Sequence, residues 1–204
     1  QRAILDHEFI DWTKTHFQLL EESLNGSTKL PFHSVRRAAA EHFAKLGIPT
    51  TRNEEWKYTN VLPIFKSQFA LPEKQATVDK KAVEKFAFDG LHDKMIVLVN
   101  GRFSKELSTL ALDHSQVRID SLASALAKGD PVVEKHLSKY ADFTNEPFVA
   151  LNTAFTLDGT VIEIAENAVL ETPIHLCNIA VAEEGVALSS PRTLVVAGKN
   201  SQIH

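Results

Sequence analysis

The sequence predicts an α+β fold in which a mainly helical part is followed by a part built from short strands. Three observations support this division. Residues 1–140 contain 20 basic and 18 acidic residues, whereas residues 141–204 contain 2 basic and 8 acidic residues. β-branched residues number 23 in the first 140 positions and 18 in the last 64, and no aromatic residue follows Phe155. We therefore expect one domain over residues 1–140 and a second over residues 141–204.

Helical periodicity is clearest in the first fifty residues. From Leu5 to Leu24 the apolar residues recur at near-helical spacing, and Asn25-Gly26 marks the end of that helix. A second helix is expected over Val35–Leu46, with Ser34 as its N-cap and Gly47 in a left-handed conformation after its last residue. The pattern thus predicts two amphipathic helices at the start of the chain.

A β-hairpin is predicted near residues 95–104. Met95–Val99 is a continuous apolar run, and Asn100-Gly101 after it accepts the positive φ angles of a type I′ turn. Arg102-Phe103 would begin the return strand. Further short helices are expected over residues 79–86, after a cap at Asp120 or Ser121, after Asp130-Pro131, and over residues 148–155.

Short strands separated by turns follow Leu157. The expected strands cover residues 161–164, 169–170, 173–179, 186–188 and 193–197. Such strands suit a stacked β-solenoid, and they equally suit a sandwich of short strands. Val161–Ile164 resembles Leu194–Ala197, which lies 33 residues further on, but the turns between them are unequal and no regular period is visible. The pattern leaves both architectures open.

Composition excludes several classes of protein. The net charge of −4 gives no basic excess for binding nucleic acid or an anionic membrane surface. A single cysteine cannot form an internal disulfide, and no ligand spacing for a structural zinc or a self-contained iron–sulfur site occurs. No apolar run approaches the ~20 residues that span a bilayer. We expect a cytoplasmic protein and, because the chain begins with Gln1 rather than Met, a fragment of a longer one.

His175 and Cys177 are the sharpest pair of candidate metal ligands. Alternation along a strand places residues i and i+2 on the same face, so an imidazole and a thiol would lie together. Two ligands do not complete a metal site, however, and cysteine is often buried as a small apolar residue. We favour the structural interpretation, and no residue of the chain is predicted to be catalytic.

The segment from Gly47 to Asn60 is the densest unusual stretch of the sequence. Arg52, Trp56 and Tyr58 could form a binding face. Alternatively, Asn53 caps a single turn in which Trp56 anchors the segment on the helices, while Arg52 pairs with a nearby glutamate.

The same segment carries a family resemblance. Leu46–Asn60 closely resembles the signature LG.PT.R.EEW.YT of SufD-type proteins, which belong to the SUF machinery for iron–sulfur cluster assembly. Matches continue in order along the chain. The matching residues are Arg52, Glu54, Glu55, Trp56 and Tyr58 of the signature, then Val99–Ser104, Ala150–Phe155 with Asp158-Gly159, Pro173–Leu176 and Ser190–Val196.

This resemblance implies a helical N-terminal domain followed by the first coils of a right-handed parallel β-helix, truncated before its end. It implies a non-catalytic scaffold subunit that pairs with a SufB-type subunit, carries a SufC-type ATPase and is linked to iron acquisition. A transient iron–sulfur cluster would form in the full complex, with no cofactor bound by this fragment. SufB-type proteins share the fold, but the EEW.YT residues favour a SufD type.

The resemblance carries no site residue onto this chain, because the family's cysteine and histidine at the subunit interface lie in later coils. His175 and Cys177 are not those residues. An open β-helix edge also favours association, so we expect that it can support a homodimer. The alternative function is a β-solenoid enzyme acting on polysaccharide or acyl substrates, whose groove normally carries carboxylates, histidines or aromatic platforms. The lack of aromatic residues after Phe155 counts against that alternative.

Overall fold

The computed structural model describes residues 2–72, 76–182 and 185–203, with the side chains of residues 2–5 and 25 left out. Its helices are α1 (Arg2–Ser23), α2 (Pro31–Leu46), α3 (Lys80–Glu84), α4 (Leu122–Ala127), α5 (Pro131–His136) and α6 (Pro147–Phe155). Its strands are β1 (Phe69–Ala70), β2 (Lys94–Val99), β3 (Arg102–Phe103), β4 (Thr109–Leu110), β5 (Val117–Ser121), β6 (Gly159–Ile164), β7 (His175–Ile179), β8 (Val186–Ala187) and β9 (Arg192–Ala197). Short 3₁₀ helices cover Asn25–Lys29, Glu54–Trp56 and Leu62–Lys66.

The chain forms two compact units, and each is assembled from three segments. The helical unit comprises Gln1–Leu71, Ser138–Thr156 and Ala182–Ser190. The sheet unit comprises Pro72–Leu137, Leu157–Val181 and Pro191–His204. The sheet unit therefore takes its strands from both sides of residue 140. The assignment of residues 1–140 and 141–204 to separate domains stays a prediction.

Helix α1 confirms the helix predicted from Leu5 to Leu24. Phe9, Phe17 and Leu20 are buried, while Trp12 and Leu24 are half-buried. The side chain of Leu5 lies outside the described residues. The predicted apolar face is therefore the one that packs into the helical unit.

Helix α2 begins earlier than predicted. Its first residue is Pro31, and Ser34 is not its N-cap, because the Ser34 hydroxyl donates to the Pro31 carbonyl oxygen at 2.7 Å from inside the helix. Proline is favourable at a first helical position, where its missing N–H has no partner to lose. At the other end Gly47 has φ +67° and donates its N–H to the Phe43 carbonyl at 2.8 Å, so the predicted stop is confirmed.

The core of the helical unit is aromatic. The Phe9 ring lies edge-on to three others, at centroid distances of 4.6 Å from Phe65, 5.3 Å from Phe69 and 6.0 Å from Phe43. The Phe17 ring is perpendicular to Phe155 of α6 at 6.1 Å. These contacts join α1, α2 and α6, and a two-residue parallel pairing of β1 with β8 lies in the same unit.

Strand β2 is the centre of one sheet of the sheet unit. It pairs with β3 and β4 in antiparallel fashion and with β7 in parallel. Asn100 and Gly101 have φ of 49° and 79°, so the predicted hairpin turn is confirmed. Met95, Val97 and Val99 pack into one apolar cluster, whereas Ile96 belongs to a second cluster with Val117 and Ile162. β2 is therefore buried on both faces.

Strands β5, β6 and β9 form a second sheet. β5 pairs with β6 in antiparallel fashion, and β6 pairs with β9 in parallel from Gly159↔Arg192 to Ile164↔Ala197. Each residue pair between β6 and β9 thus joins positions that are 33 residues apart. This is the spacing of the two similar apolar runs in the sequence. The corner after each strand repeats as well, because Asn167 and Asn200 have φ of 60° and 59° and Asn200 Nδ2 donates to Asn167 Oδ1 at 3.2 Å. A β-helix stays a prediction.

Helices α4 and α5 begin at predicted caps, and α3 follows Asp79, which was predicted as the first residue of that helix and is its N-cap instead. Asp79 Oδ1 accepts from the Lys81 N–H ahead of α3, and Ser121 Oγ accepts from the Ser124 N–H at the start of α4. Asp130 Oδ1 accepts from the N–H groups of Val132 and Val133 at the start of α5. Side-chain acceptors thus satisfy donors that a helix leaves unpaired.

Gly159 is the residue whose replacement most directly tests the parallel pairing. Its φ is 154°, and a Cβ added there would lie 1.9 Å from the Arg192 carbonyl oxygen. We expect Gly159→Ala to lower the free energy of unfolding by about 2–4 kcal/mol, because backbone of β6 or β9 must shift. Urea unfolding followed by circular dichroism measures the change.

The matched control is Gly26→Ala, because a Cβ at Gly26 meets nothing within 4 Å. Equal stability of the Gly159→Ala protein and the Gly26→Ala protein would contradict the close approach of β9 to Gly159.

Candidate functional site

The signature segment, residues 46–60, is held by a local turn. The Thr50 N–H and hydroxyl donate to Asn53 Oδ1 at 2.8 and 3.1 Å, and the Asn53 N–H donates to the Thr50 carbonyl oxygen at 2.9 Å. The Asn53 side chain therefore faces back toward Thr50 and makes no capping bond to the 3₁₀ helix that follows. Trp56 is half-buried, and its ring lies edge-on to Phe148 of the helical unit at 5.0 Å. The anchoring role predicted for Trp56 is confirmed.

The other signature side chains point away from the core of the helical unit. Arg52, Glu54 and Glu55 are exposed, and Tyr58 is 92% exposed. Lys57 Nζ lies 5.6 Å from the Tyr58 ring centroid and 3.8 Å from Glu54 Oε1. Within the described ranges no ion pair joins Arg52 to a glutamate, and the pairing stays a prediction. The segment is a fixed loop with one aromatic anchor and four exposed signature residues.

His175 and Cys177 both lie on β7, beside β2 in the sheet unit. Cys177 is 8% exposed and packs in the apolar cluster of Val83, Met95 and Val97, and this burial raises the pKa of its thiol. His175 is half-buried, with its ring centroid 4.8 Å from Phe88, and its buried Nδ1 has no hydrogen-bond partner among the described residues. Among the residues that the structure describes, no three His, Cys, Asp or Glu side chains converge as a metal site.

Asp158 is a buried polar residue that the sequence analysis noted only as part of the family resemblance. Its Oδ2 accepts the Phe103 N–H at 2.9 Å, while its Oδ1 accepts the Ser121 hydroxyl and the Ala123 N–H, each at 2.9 Å. One carboxylate thus connects the β2–β3 hairpin, the start of α4 and the start of β6. Asn100 also connects distant parts of the chain. Its Nδ2 donates to the Val181 carbonyl oxygen at 2.9 Å, and its Oδ1 accepts the Val181 N–H at 2.8 Å.

Arg36 is a second buried polar residue that the sequence analysis did not identify. It is 3% exposed, its Nε donates to the Thr156 carbonyl oxygen at 2.8 Å, and its Cζ lies 4.6 Å from the Phe32 ring centroid. Burial lowers its pKa to about 10. A cation at the end of α6 is favourable because the last carbonyls of a helix carry partial negative charge. The apolar stripe of α2 gave no sign that a charged residue would be buried beside it.

Helices α1, α2 and α6 enclose a cleft of about 380 Å³, here named the helical cleft. Its floor is apolar and its rim is charged. At one end Glu21 Oε1 accepts from Arg37 Nε at 2.6 Å and lies 3.0 Å from Nε2 of the buried His33. Burial alone would raise the pKa of Glu21, but hydrogen bonds and charge from Arg37 and His33 lower it below its ordinary value. Glu21 is therefore an anion at neutral pH.

Comparison with known proteins places most of this chain in one family. A family described as the SufBD protein N-terminal region matches residues 7–176. The chain belongs to the SufBD family. An iron–sulfur cluster assembly SufBD family protein of Synechocystis sp. (strain ATCC 27184 / PCC 6803 / Kazusa) is 32% identical over 168 residues. That match covers 82% of this chain and 37% of the relative, so the chain spans well under half of the relative's length.

The family match includes nearly all the features described above. It covers the signature segment, Asp158 and the helical cleft, and it ends at residue 176 within β7. Family membership therefore rests on the helical unit and on the first strands of the sheet unit.

In the described part of the chain, no helix is long and apolar enough to cross a membrane.

Cys177 allows a direct test of its burial, because the chain has one cysteine. We expect the native protein at pH 8 to react with iodoacetamide at least about tenfold more slowly than the urea-unfolded protein, since only an accessible thiolate reacts quickly. Mass spectrometry measures the modified fraction over time.

A variant carrying Cys177→Ala and Thr51→Cys is the control, because position 51 is exposed. It should react at the same rate in its native and unfolded states. Equally rapid labelling of native Cys177 would show that β7 does not hold the thiol in the apolar cluster.

Proposed function

We propose that this chain is part of a non-catalytic scaffold subunit in iron–sulfur cluster assembly. The observation that carries the proposal is membership of the SufBD family over residues 7–176. The relative from Synechocystis sp. is named as an iron–sulfur cluster assembly protein. We assign the SufD type rather than the SufB type, because Leu46–Asn60 resembles the SufD signature.

We further propose that β6 and β9 begin a right-handed parallel β-helix. Parallel pairing at a constant separation of 33 residues supports this, as does the repeated asparagine corner at Asn167 and Asn200. In a solenoid each coil pairs with the next, so strands and corners recur at one register. The complete β-helix would provide the surface on which subunits associate.

The proposed partners are a SufB-type subunit and a SufC-type ATPase, in the cytoplasm, with a role in iron acquisition. The nascent iron–sulfur cluster is the cargo of this complex. A cluster is charged and reacts with oxygen, so a site buried between two subunits protects it. ATP-driven movement of those subunits would then control when the cluster is assembled or released. This chain would form part of the supporting wall.

Affinity purification tests the proposal. The full-length protein, tagged in its native host and isolated under anaerobic conditions, should bring down a SufB-type protein and an ABC-type ATPase in comparable amounts. Quantitative mass spectrometry measures the recovery, and an untagged strain is the control.

Recovery of the tagged protein alone would contradict the scaffold assignment. Recovery of a SufD-type protein in place of a SufB-type protein would contradict the SufD assignment but leave the scaffold assignment intact.

A further inference from the structure

The helical cleft has the form of a binding site for one apolar group. Its floor is made by Phe17, Phe43, Leu151 and Phe155, and three small side chains keep the space above the floor open: Ala40, Ala44 and Ala154. The volume of about 380 Å³ lies within the range of ligand pockets, which are mostly apolar with a few placed polar groups.

The polar end of the helical cleft presents an acceptor and donors side by side. Glu21 Oε1 is occupied by Arg37 Nε and His33 Nε2, whereas Glu21 Oε2 accepts no hydrogen bond from any described residue. Arg37 uses only its Nε in that contact, which leaves the donors on its two Nη atoms available. A group with one N–H donor next to one C=O acceptor would complement this pair.

The rim of the helical cleft carries no net charge. Lys14 and Arg37 are balanced by Glu21 and Glu41, and all four line the cleft. A charged ligand would therefore meet two side chains of like charge and two of opposite charge. A neutral group that both donates and accepts is favoured, and the peptide amide is the common group of that kind in polypeptides.

We propose that the helical cleft binds an apolar side chain of a polypeptide partner together with the adjoining backbone amide. The side chain would lie on the phenylalanine floor, its amide N–H would donate to Glu21 Oε2, and its carbonyl oxygen would accept from Arg37. This site requires neither an iron–sulfur cluster nor an ATPase, so it is independent of the proposed scaffold function.

The test uses N-acetyl-L-phenylalaninamide and N-acetyl-L-leucinamide as probes of the intact protein. Saturation-transfer-difference NMR should show binding of both. Ala44→Leu fills the helical cleft and should weaken binding at least about fivefold. Ala38→Leu is the matched control, because Ala38 is also half-buried on α2 but does not line the cleft, and it should bind like the wild type.

Arg37→Gln tests the polar end of the site. Arg37 is largely exposed, so the fold should be retained, and loss of its Nη donors should weaken probe binding about three- to tenfold. Thermal melting followed by circular dichroism checks that each variant is folded. If the Ala44→Leu protein does not fold, the Ala40→Met protein is used in its place.

Three results would overturn the proposal. The first is no detectable binding of either probe, and the second is equal loss of binding in the Ala38→Leu and Ala44→Leu proteins. The third is binding of phenethylamine, 3-phenylpropionate or adenine as strong as that of the amides, since this would assign the cleft to a charged ligand or a nucleobase.

Discussion

The Asp158 carboxylate is the interaction on which the sheet unit depends most. It accepts one backbone N–H from the β2–β3 hairpin and a hydroxyl and a second backbone N–H from the start of α4, and it is itself buried. Removing such an acceptor would leave buried donors unpaired, and this costs more than the bonds alone contribute. Gly159 follows directly and lets the Arg192 backbone come closer than any side chain would permit. Two adjacent residues therefore fix where the hairpin, α4 and the β6–β9 pair meet.

Strand β2 shows why the sheet unit is made of segments that lie far apart in the sequence. A strand buried on both faces needs apolar cover on each side, and β2 receives it from two clusters that contain residues far along the chain. Cys177 supplies part of one cluster, and Ile162 and Ile164 supply part of the other. Residues 94–99 and 175–179 thus form one sheet although 75 residues separate them.

Local elements were predictable from the sequence because their signals are local. Asp79, Ser121 and Asp130 cap the helices that follow them, and Asn100-Gly101 makes the expected turn. The register of the parallel pairs was not predictable from local signals, because it depends on residues 33 or 80 positions apart with no turn to set it, and the only sequence sign of the β6–β9 pair was the likeness of two apolar runs 33 residues apart. The buried charge of Arg36 was also beyond prediction, because its partner is the backbone carbonyl of Thr156, which no side-chain pattern reveals.

The candidate site was predicted in part, for similar physical reasons. The sequence allowed Trp56 to be either part of a binding face or an anchor on the helices, and Phe148 provides the apolar surface that the anchor needs. His175 and Cys177 were found because alternation is a local signal, yet their environment is set by β2. Coordination of a metal by the Cys177 thiolate would require charge inside an apolar cluster, against the burial that raises its pKa. The fold therefore uses this cysteine for packing.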